Sequence, residues 1–491
     1  MRPLINEVET TVEPDLLAQG LLKSAEGLVL LRSGGDFPQA RYTLIAANPF
    51  MVFRSFGSRC ETHRPGSYAS HVQFGNPLQI LSTLMARFEL LDELDLPFPL
   101  GGCFGFWGYD LKNFTEPKLP RRALNDLDLP DCCAGFYDSL VIFDHQLARA
   151  FIVSTGLDAD GSRCDKRANE QFESWQQLIH STARSPSAVA EATAGVRSRA
   201  LLESAKRTGS IVSNFTREEF INAVKLAQDY IRTGNIYQVN LSQRLSVQSI
   251  ASGWELFQRL NAVSPAPFAA FLNCGDFQIA SSSPEQFLRL SGRHIITRPI
   301  KGTRPRNTDA TRDAQLGYEL QTSAKELAEL IMITDLLRND LGKICEFGSV
   351  QVPELAKLEK FAQVQHLVST IDGRLRHGVT HCAALASCFP GGSITGAPKF
   401  RAMEIIDELE PVTRGPYCGC HGYLGFNRES QLSITIRTAI CAHDRIHFNV
   451  GAGIVADSNP EFEYEETLAK AAGFQMALTN ADTRIFSHSR F

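Results

Sequence analysis

The sequence predicts an α+β fold, and three observations predict it. Residues 1–155 read as short strands divided by Gly and Pro turns, with few helical patterns. From 213 onward, capped helical patterns and alternating strand patterns come in blocks. Near the C-terminus, "LSITIRTAI" and "RIHFNV" alternate on either side of "AHD", as the arms of an antiparallel hairpin do. This grouping favours mainly antiparallel sheet flanked by helices over a doubly wound parallel sheet.

Taken in order, the region 1–155 carries the strand patterns "GLVLLRSG", "RYTLIAANP", "LGGCFGFWGYDL", "FYDSLVIFDH" and "ARAFIVST". Residues 156–212 shift to Ser, Ala, Arg and Glu, with helical patches but little apolar periodicity, which predicts a linker. The region 213–478 opens on "NFTREEF", where Thr216 is placed as N-cap, Glu219 as its capping-box partner, and Phe215 with Phe220 as a hydrophobic staple. That helix is expected to run to about Thr233, and after Gly234 "IYQVNLSQRLSV" alternates as a strand. "SAKELAELIMITDLLRNDLGK" has helical spacing, and "NPEFEYEETLAKAAGF" begins another helix with Asn459 as N-cap and Pro460 at its first position. Residues 479–491 read as a tail.

Composition narrows the class of function. At 491 residues and 43% hydrophobic the chain is long enough to bury a large core, and length alone predicts roughly three domains. A formal net charge of −5, with no Lys/Arg-rich block, gives no field for nucleic acid or anionic lipid. The N-terminus lacks the apolar core of a signal peptide, and no apolar run is long enough to span a bilayer, so a soluble, cytoplasmic protein is expected. The 12 cysteines are scattered without a C-x-x-C pair and are expected to be reduced. Cys418, Cys420 and His421 in "YCGCHG" offer half a zinc site, with no second Cys/His pair at ligand spacing.

Several groups are able to carry chemistry. Glu326 and Glu329 lie three apart on one helical face, and Glu463, Glu466 and Lys470 share a face of the later helix. Two carboxylate pairs suit Mg²⁺, a hard cation that takes carboxylate oxygens and leaves positions for an anionic substrate. The alternative is that these acids serve only their helix dipoles. "PGGSITGAPK", "VGAGIVADS" and "CGCHGYLGF" bring backbone N–H groups close to a bound anion, and Arg437 is suited to a bidentate carboxylate pair. Lys301, in what reads as a Pro/Gly-bounded turn ("PIKGTRPR"), is either a solvated loop lysine, a Schiff-base lysine for pyridoxal phosphate, or a nucleophile. Cys103 in "GGCFG" matches a form found around nucleophilic cysteines of glutamine amidotransferases. No His-x-Glu follows anywhere in the chain to act as its base, so Cys103 is expected to pack.

In this order, "NIYQVNLSQR", "SSSPEQFL", "TRPIKGTRPR", "LAELIMITDLLRNDLG", "VQHLVST", "FPGGSITGAPKFRAMEIIDELEP", "GYLGF", "SITIRTAI" and "GAGIVADSNPEFEYEETLAKA" resemble the chorismate-binding enzymes. The resemblance covers essentially all of 213–478, and 1–155 is similar to the family's regulatory half. It implies the anthranilate synthase component I-like fold, with two lobes of mainly antiparallel sheet, and displacement chemistry at C2 or C4 of chorismate. Isochorismate and salicylate synthases carry a water-activating lysine where this chain has Gln238, and anthranilate synthases read "PIAGT" where this chain has Lys301. The "PIKGT" form resembles aminodeoxychorismate synthase component I, a transaminase-class activity in the 4-aminobenzoate branch of folate biosynthesis.

That likeness implies that the Lys301 amine adds to C2 and that ammonia then enters at C4 to give 4-amino-4-deoxychorismate. It implies Glu285 as general acid and base, and His366 beside the ring. Tyr423, Arg437 and the backbone of Gly453 are implied on the side-chain carboxylate, with Thr395 and Gln238 as further substrate contacts. Glu326, Glu329, Glu463 and Glu466 are implied as Mg²⁺ ligands. Ammonia is implied to come from a separate glutamine amidotransferase subunit in a heterodimer. A partial match to the family's tryptophan pocket falls on Ser33, Arg41, Pro267 and Phe268. His421 departs from the small or apolar residue usual at its position. The alternatives are an anthranilate synthase component I and a non-catalytic chorismate- or tryptophan-binding regulator.

Overall fold

A computed structural model describes residues 2–33, 41–66, 70–90, 96–184, 209–361 and 364–479. Of the expected linker and tail, residues 185–208 and 480–491 lie outside the described residues. Two antiparallel sheets of twelve strands each organise the molecule, and helices flank them, as the α+β reading expects.

Each sheet draws on both ends of the sequence. In the first, Leu4–Val8, Arg149–Ser154, Ser139–Asp144, Tyr42–Ala46 and Val29–Arg32 lead into Phe268–Asn273, Phe277–Ser283, Thr438–Ala442, Arg445–Ile454 and Gln238–Gln248. The join is Val29–Arg32 against Phe268–Asn273, with Leu31 opposite Ala270. In the second, Ile300–Pro305, Val364–Arg374, His294–Arg298, Gln286–Ser291, Glu429–Ile434 and Cys420–Gly425 lead into Gly102–Trp107, Cys132–Tyr137 and Met51–Phe56. Here the join is Gly102–Trp107 against Cys420–Gly425, with Phe104 opposite Tyr423.

The sheets face one another across a shared core. Phe104, Phe136, Leu140, Ile142 and Ile279 belong to one buried cluster, and the Phe106 and Phe277 rings meet across it at 5.9 Å. Strands buried on both faces have no polar side to show, which is why "GCFGFW" and "SLVIFD" read as continuous runs rather than as alternation. The outer face of the first sheet is covered by Pro14–Leu21, Asp165–Arg184, Gly253–Val263 and Pro460–Thr479, through Leu17, Trp175, Trp254 and Phe474. Phe474 stacks on Phe448 of the sheet at 4.4 Å, a burial that contributes about 2–3 kcal/mol. Against the second sheet, Ala310–Thr322 and Ala324–Gly342 close a smaller cluster of Leu320, Leu330 and Leu367.

The local signatures hold at the element ends. Thr216 and Glu219 make the reciprocal capping box of the helix Arg217–Arg232, and the Phe215 and Phe220 rings meet at 5.7 Å. Asn459 caps the last helix, its side chain accepting from the Phe462 N–H at 3.0 Å.

Two expectations are corrected. Within 156–212, Asp165–Arg184 is no linker but a helix with Ala168, Trp175, Ile179 and Thr182 buried against the first sheet. "LSITIRTAI" is not one strand: Leu432–Ile434 ends in the second sheet and Thr438–Ala442 begins in the first. The hairpin itself stands, with Ala442 opposite Arg445 and both loop residues, His443 (φ 49°) and Asp444 (φ 56°), in the left-handed conformation of a two-residue turn.

Candidate active site

Lys301 lies on the strand Ile300–Pro305, paired with Val364–Arg374. The predicted turn is therefore a bulged strand: Lys301 opposes Leu367, Thr303 opposes His366, and the register shifts between them at Gly302. Gly302 has φ 65°, and a Cβ there would come within 2.6 Å of Leu320 Cδ1, so the bulge requires glycine. The Lys301 amine stands 3.8 Å from Glu329 Oε2.

Around it, three strands bring side chains to one place. A Cβ on Gly453 would lie 2.6 Å from Gln238 Nε2 and 3.6 Å from Lys301 Nζ, so amide and amine converge over a glycine that leaves room for both. Gln238 is buried, and its Oε1 has no hydrogen-bond partner among the described residues. Such an acceptor is costly unless a ligand completes it.

Glu285 follows the strand Phe277–Ser283 and is buried. Burial pushes its carboxyl up to about 7, opposed by the polar Ser393 side chain and by the charge of Lys301. His366 is pushed down to about 4 by burial and then by Arg437, so its ring is neutral at pH 7. Its Nδ1 lies 2.8 Å from the Thr303 hydroxyl and 3.4 Å from the Gly302 carbonyl.

Arg437 sits where the chain crosses from one sheet to the other, with φ 48°. A non-glycine residue in this conformation carries strain that its surroundings must hold in place. Burial lowers its guanidinium from the usual range, and no carboxylate pairs with it among the described residues. A buried unpaired guanidinium beside a neutral His366 has the chemistry to receive a carboxylate.

The acidic set comes from the helices Ala324–Gly342 and Pro460–Thr479. Burial pushes the Glu329 carboxyl up, and Glu326 on its own helix and Glu466 on the other push the same way. Glu463 is likewise raised by burial, opposed by the Ser458 hydroxyl and raised further by Glu466. Each acid is engaged by the chain: Arg304 lies 3.7 Å from Glu326, and Lys470 lies 2.6 Å from Glu466. Among the described residues, no three metal-ligating side chains already form a coordination sphere.

The remaining candidates divide. Thr395 is buried with its hydroxyl donating within its own loop, 3.0 Å from the Gly391 carbonyl and 3.2 Å from that of Gly392. Tyr423 is placed elsewhere. It stacks on Phe104 at 5.3 Å and, two residues from His421 on the same strand face, lines a small separate cavity with Ser33, Pro267 and Phe268. That cavity measures about 30 Å³, room for a water or two. Arg41 does not line it, pairing instead with Asp144, which accepts from its Nε at 2.9 Å. His421 fills one side, its Nε2 3.2 Å from the Phe268 carbonyl.

Two residues that sequence reasoning missed face the site. The Ser393 hydroxyl opposes the rise of the Glu285 carboxyl, and the Tyr417 hydroxyl stands 3.0 Å from where a Cβ would project at Gly451, two residues before Gly453. Ser393 lies inside "PGGSITGAPK", singled out for its glycines, and Tyr417 heads "YCGCHG", which drew attention to its cysteines and histidine instead. Cys103 is buried in its strand, and burial raises its thiol well above the usual range.

Comparison with known proteins agrees with this picture. The description "chorismate binding enzyme" matches residues 36–476. The chain is 40% identical over 445 residues to aminodeoxychorismate synthase component 1 of Salmonella typhimurium, covering 90% of this chain and 91% of that protein. It is 36% identical over 483 residues to anthranilate synthase component 1 of Acetivibrio thermocellus, covering 98% and 95%. Its structure is similar to that of anthranilate synthase component I from Streptococcus pneumoniae, with TM-score 0.74, 28% identity and coverage of 96% of this chain and 100% of that one.

Proposed function

Because the chain belongs to the chorismate-binding enzymes, we propose that it is the synthase component that aminates chorismate at C4, giving 4-amino-4-deoxychorismate. The observation that carries this reading is the position of Lys301, whose amine meets Gln238 over Gly453 and lies 3.8 Å from Glu329.

In the proposed reaction, Arg437 and the backbone at Gly453 hold the substrate's side-chain carboxylate, and neutral His366 packs beside the ring. The Lys301 nitrogen forms a bond to C2, the two ring double bonds shift, and the C4–O bond breaks. Glu285, held near neutrality by burial, gives its proton to the departing hydroxyl, which leaves as water. Ammonia then adds at C4, Glu285 takes up a proton, the double bonds shift back, and the C2–N bond to Lys301 breaks. The lysine amine is regenerated, so the sequence is a covalent relay.

Glu326, Glu329, Glu463 and Glu466 fit Mg²⁺ as a set of hard oxygen donors from two helices, near enough for Glu466 to repel Glu329. Bound there, the ion neutralises the ring carboxylate. The names of the relatives, "component 1", support a second subunit that delivers ammonia from glutamine.

Anthranilate synthesis is the second reading, favoured by relatives of that name at 36–40% identity. Incubation with chorismate, Mg²⁺ and ammonium, with identification of the product, separates the two. A 4-amino product that keeps its enolpyruvyl group supports the proposal, and fluorescent anthranilate with released pyruvate overturns it.

A further inference from the structure

A cavity of about 320 Å³ opens at the hairpin end of the first sheet. On the strand Arg445–Ile454, Arg445 and His447 are two apart and share a face. Ser246 lies opposite His447, and Arg244, two residues before it, projects from the same face of the neighbouring strand. His443, in the turn, also lines the cavity. Gly453, beside Lys301, is six residues along from His447, about 20 Å at strand spacing, so this is not the chorismate site. The rest of the wall comes from the early part of the chain, through Asp126, Leu127 and Leu129. The volume falls within the range of small-molecule sites, about 300–1,000 Å³.

Charge in this cavity is unbalanced. Two arginines and two histidines line it with one carboxylate, that of Asp126. Arg244 is buried and closes its fork on that carboxylate, Nη1 donating to one oxygen at 2.9 Å and Nη2 to the other. Asp126 is thereby taken up, and among the described residues no hydrogen bond or ion pair engages the Arg445 guanidinium or the His443 ring. His447 is buried, with its Nδ1 2.8 Å from the Ser246 hydroxyl. With that hydroxyl donating, the ring proton sits on Nε2, which has no partner among the described residues. Burial, then Arg244 and Arg445, hold the imidazole down to about 4, as a surplus of positive charge does. A buried donor without a partner is costly unless a ligand completes it.

A phosphate dianion carries two charges and at least three acceptor oxygens, which suits three separate donors better than a carboxylate with one charge and two oxygens. We propose that this cavity binds a phosphate group, free or as a small monoester, on Arg445, His443 and His447. The carbon part of a monoester would lie against Leu127 and Leu129. The ligand then bridges early and late parts of the chain, at a distance from the chemistry.

Isothermal titration calorimetry of the full chain without Mg²⁺ tests this with inorganic phosphate, phenyl phosphate and benzoate, each against chloride at equal ionic strength. Both phosphates should bind. A monoester as the source predicts phenyl phosphate at least about threefold tighter than inorganic phosphate, and equal affinity assigns the site to free phosphate. Arg445 is exposed, so Arg445→Gln should keep the melting temperature in chloride while weakening both phosphates at least about tenfold. His447→Gln should weaken them alike. Affinity unchanged in Arg445→Gln would place the anion elsewhere, Arg437 included, and overturn the proposal. Benzoate binding as tightly as phenyl phosphate, or no binding of either phosphate, would overturn it too.

Discussion

Lys301 Nζ and Glu329 Oε2 lie 3.8 Å apart, each on a largely buried side chain. Glu329 therefore faces the amine and is also one of the four acids that would hold Mg²⁺, so one carboxylate borders both the nucleophile and the acidic set. Enzyme given chorismate and Mg²⁺ without ammonia should accumulate an adduct on Lys301 with the mass of chorismate less water, stable without borohydride. Lys301→Ala should lose the adduct and shift part of the product toward the 2-amino isomer. Peptide mapping that finds Lys301 unmodified, in enzyme that turns over once ammonium is added, sinks the covalent relay.

Glu285 titrates at about 7 in the folded protein, against an ordinary value of 4.5. The raised value means that the folded state binds the proton more tightly, so stability falls as pH rises from the ordinary value through about 7. Above that, the buried charge costs up to about 3 kcal/mol. Glu285→Gln should recover part of this, raising the melting temperature at pH 8 but not at pH 4. Its residual adduct formation should lack the decline above pH 7 expected of an acid that must be protonated. An unchanged difference in melting temperature between the two pH values contradicts the assignment.

Glu466→Gln removes an acid whose partner, Lys470, is half exposed at 2.6 Å. Such a pair contributes little stability, so melting should move by less than about 1 kcal/mol. Turnover should nevertheless be lost or require much more Mg²⁺, and Glu329→Ala should lose turnover in the same way. Full activity with unchanged magnesium dependence would show these acids to be ordinary helix charges.

Glutamine alone should give no product, because Cys103 is buried with its thiol held protonated and no His-x-Glu follows it. Ammonium salts at alkaline pH should support turnover, and a separate glutaminase subunit should restore use of glutamine. Glutamine-dependent product from the purified chain alone would refute this.

What was legible in the sequence was local. Thr216 with Glu219, Asn459 with Pro460, and the Ala442–Arg445 hairpin are signals complete within a few residues. What was missed depended on partners far along the chain. Asp165–Arg184 has helical patches but buries only a narrow stripe, Ala168, Trp175 and Ile179, whose packing role shows only once the sheet beneath it is known. The Gly302 bulge exists because Val364–Arg374 lies alongside, and nothing in "PIKGT" announces that strand. The motif implies Tyr423 as a substrate contact, yet strand alternation carries it with His421 to the other cavity, while Tyr417, outside the strand, reaches Gly451.

The two joins between early and late strands set the order in which the protein can be assembled. Trp107 waits for Cys420, so one edge of Gly102–Trp107 stays open while roughly three hundred further residues are made. At synthesis rates of about 5–20 residues per second, the nascent chain carries that apolar edge exposed for about 15–60 s. Neither sheet closes until the last quarter of the polypeptide has left the ribosome. A chaperone that shields strand edges, or a slow rate of initiation that keeps nascent chains apart, would keep these unfinished sheets from pairing with one another.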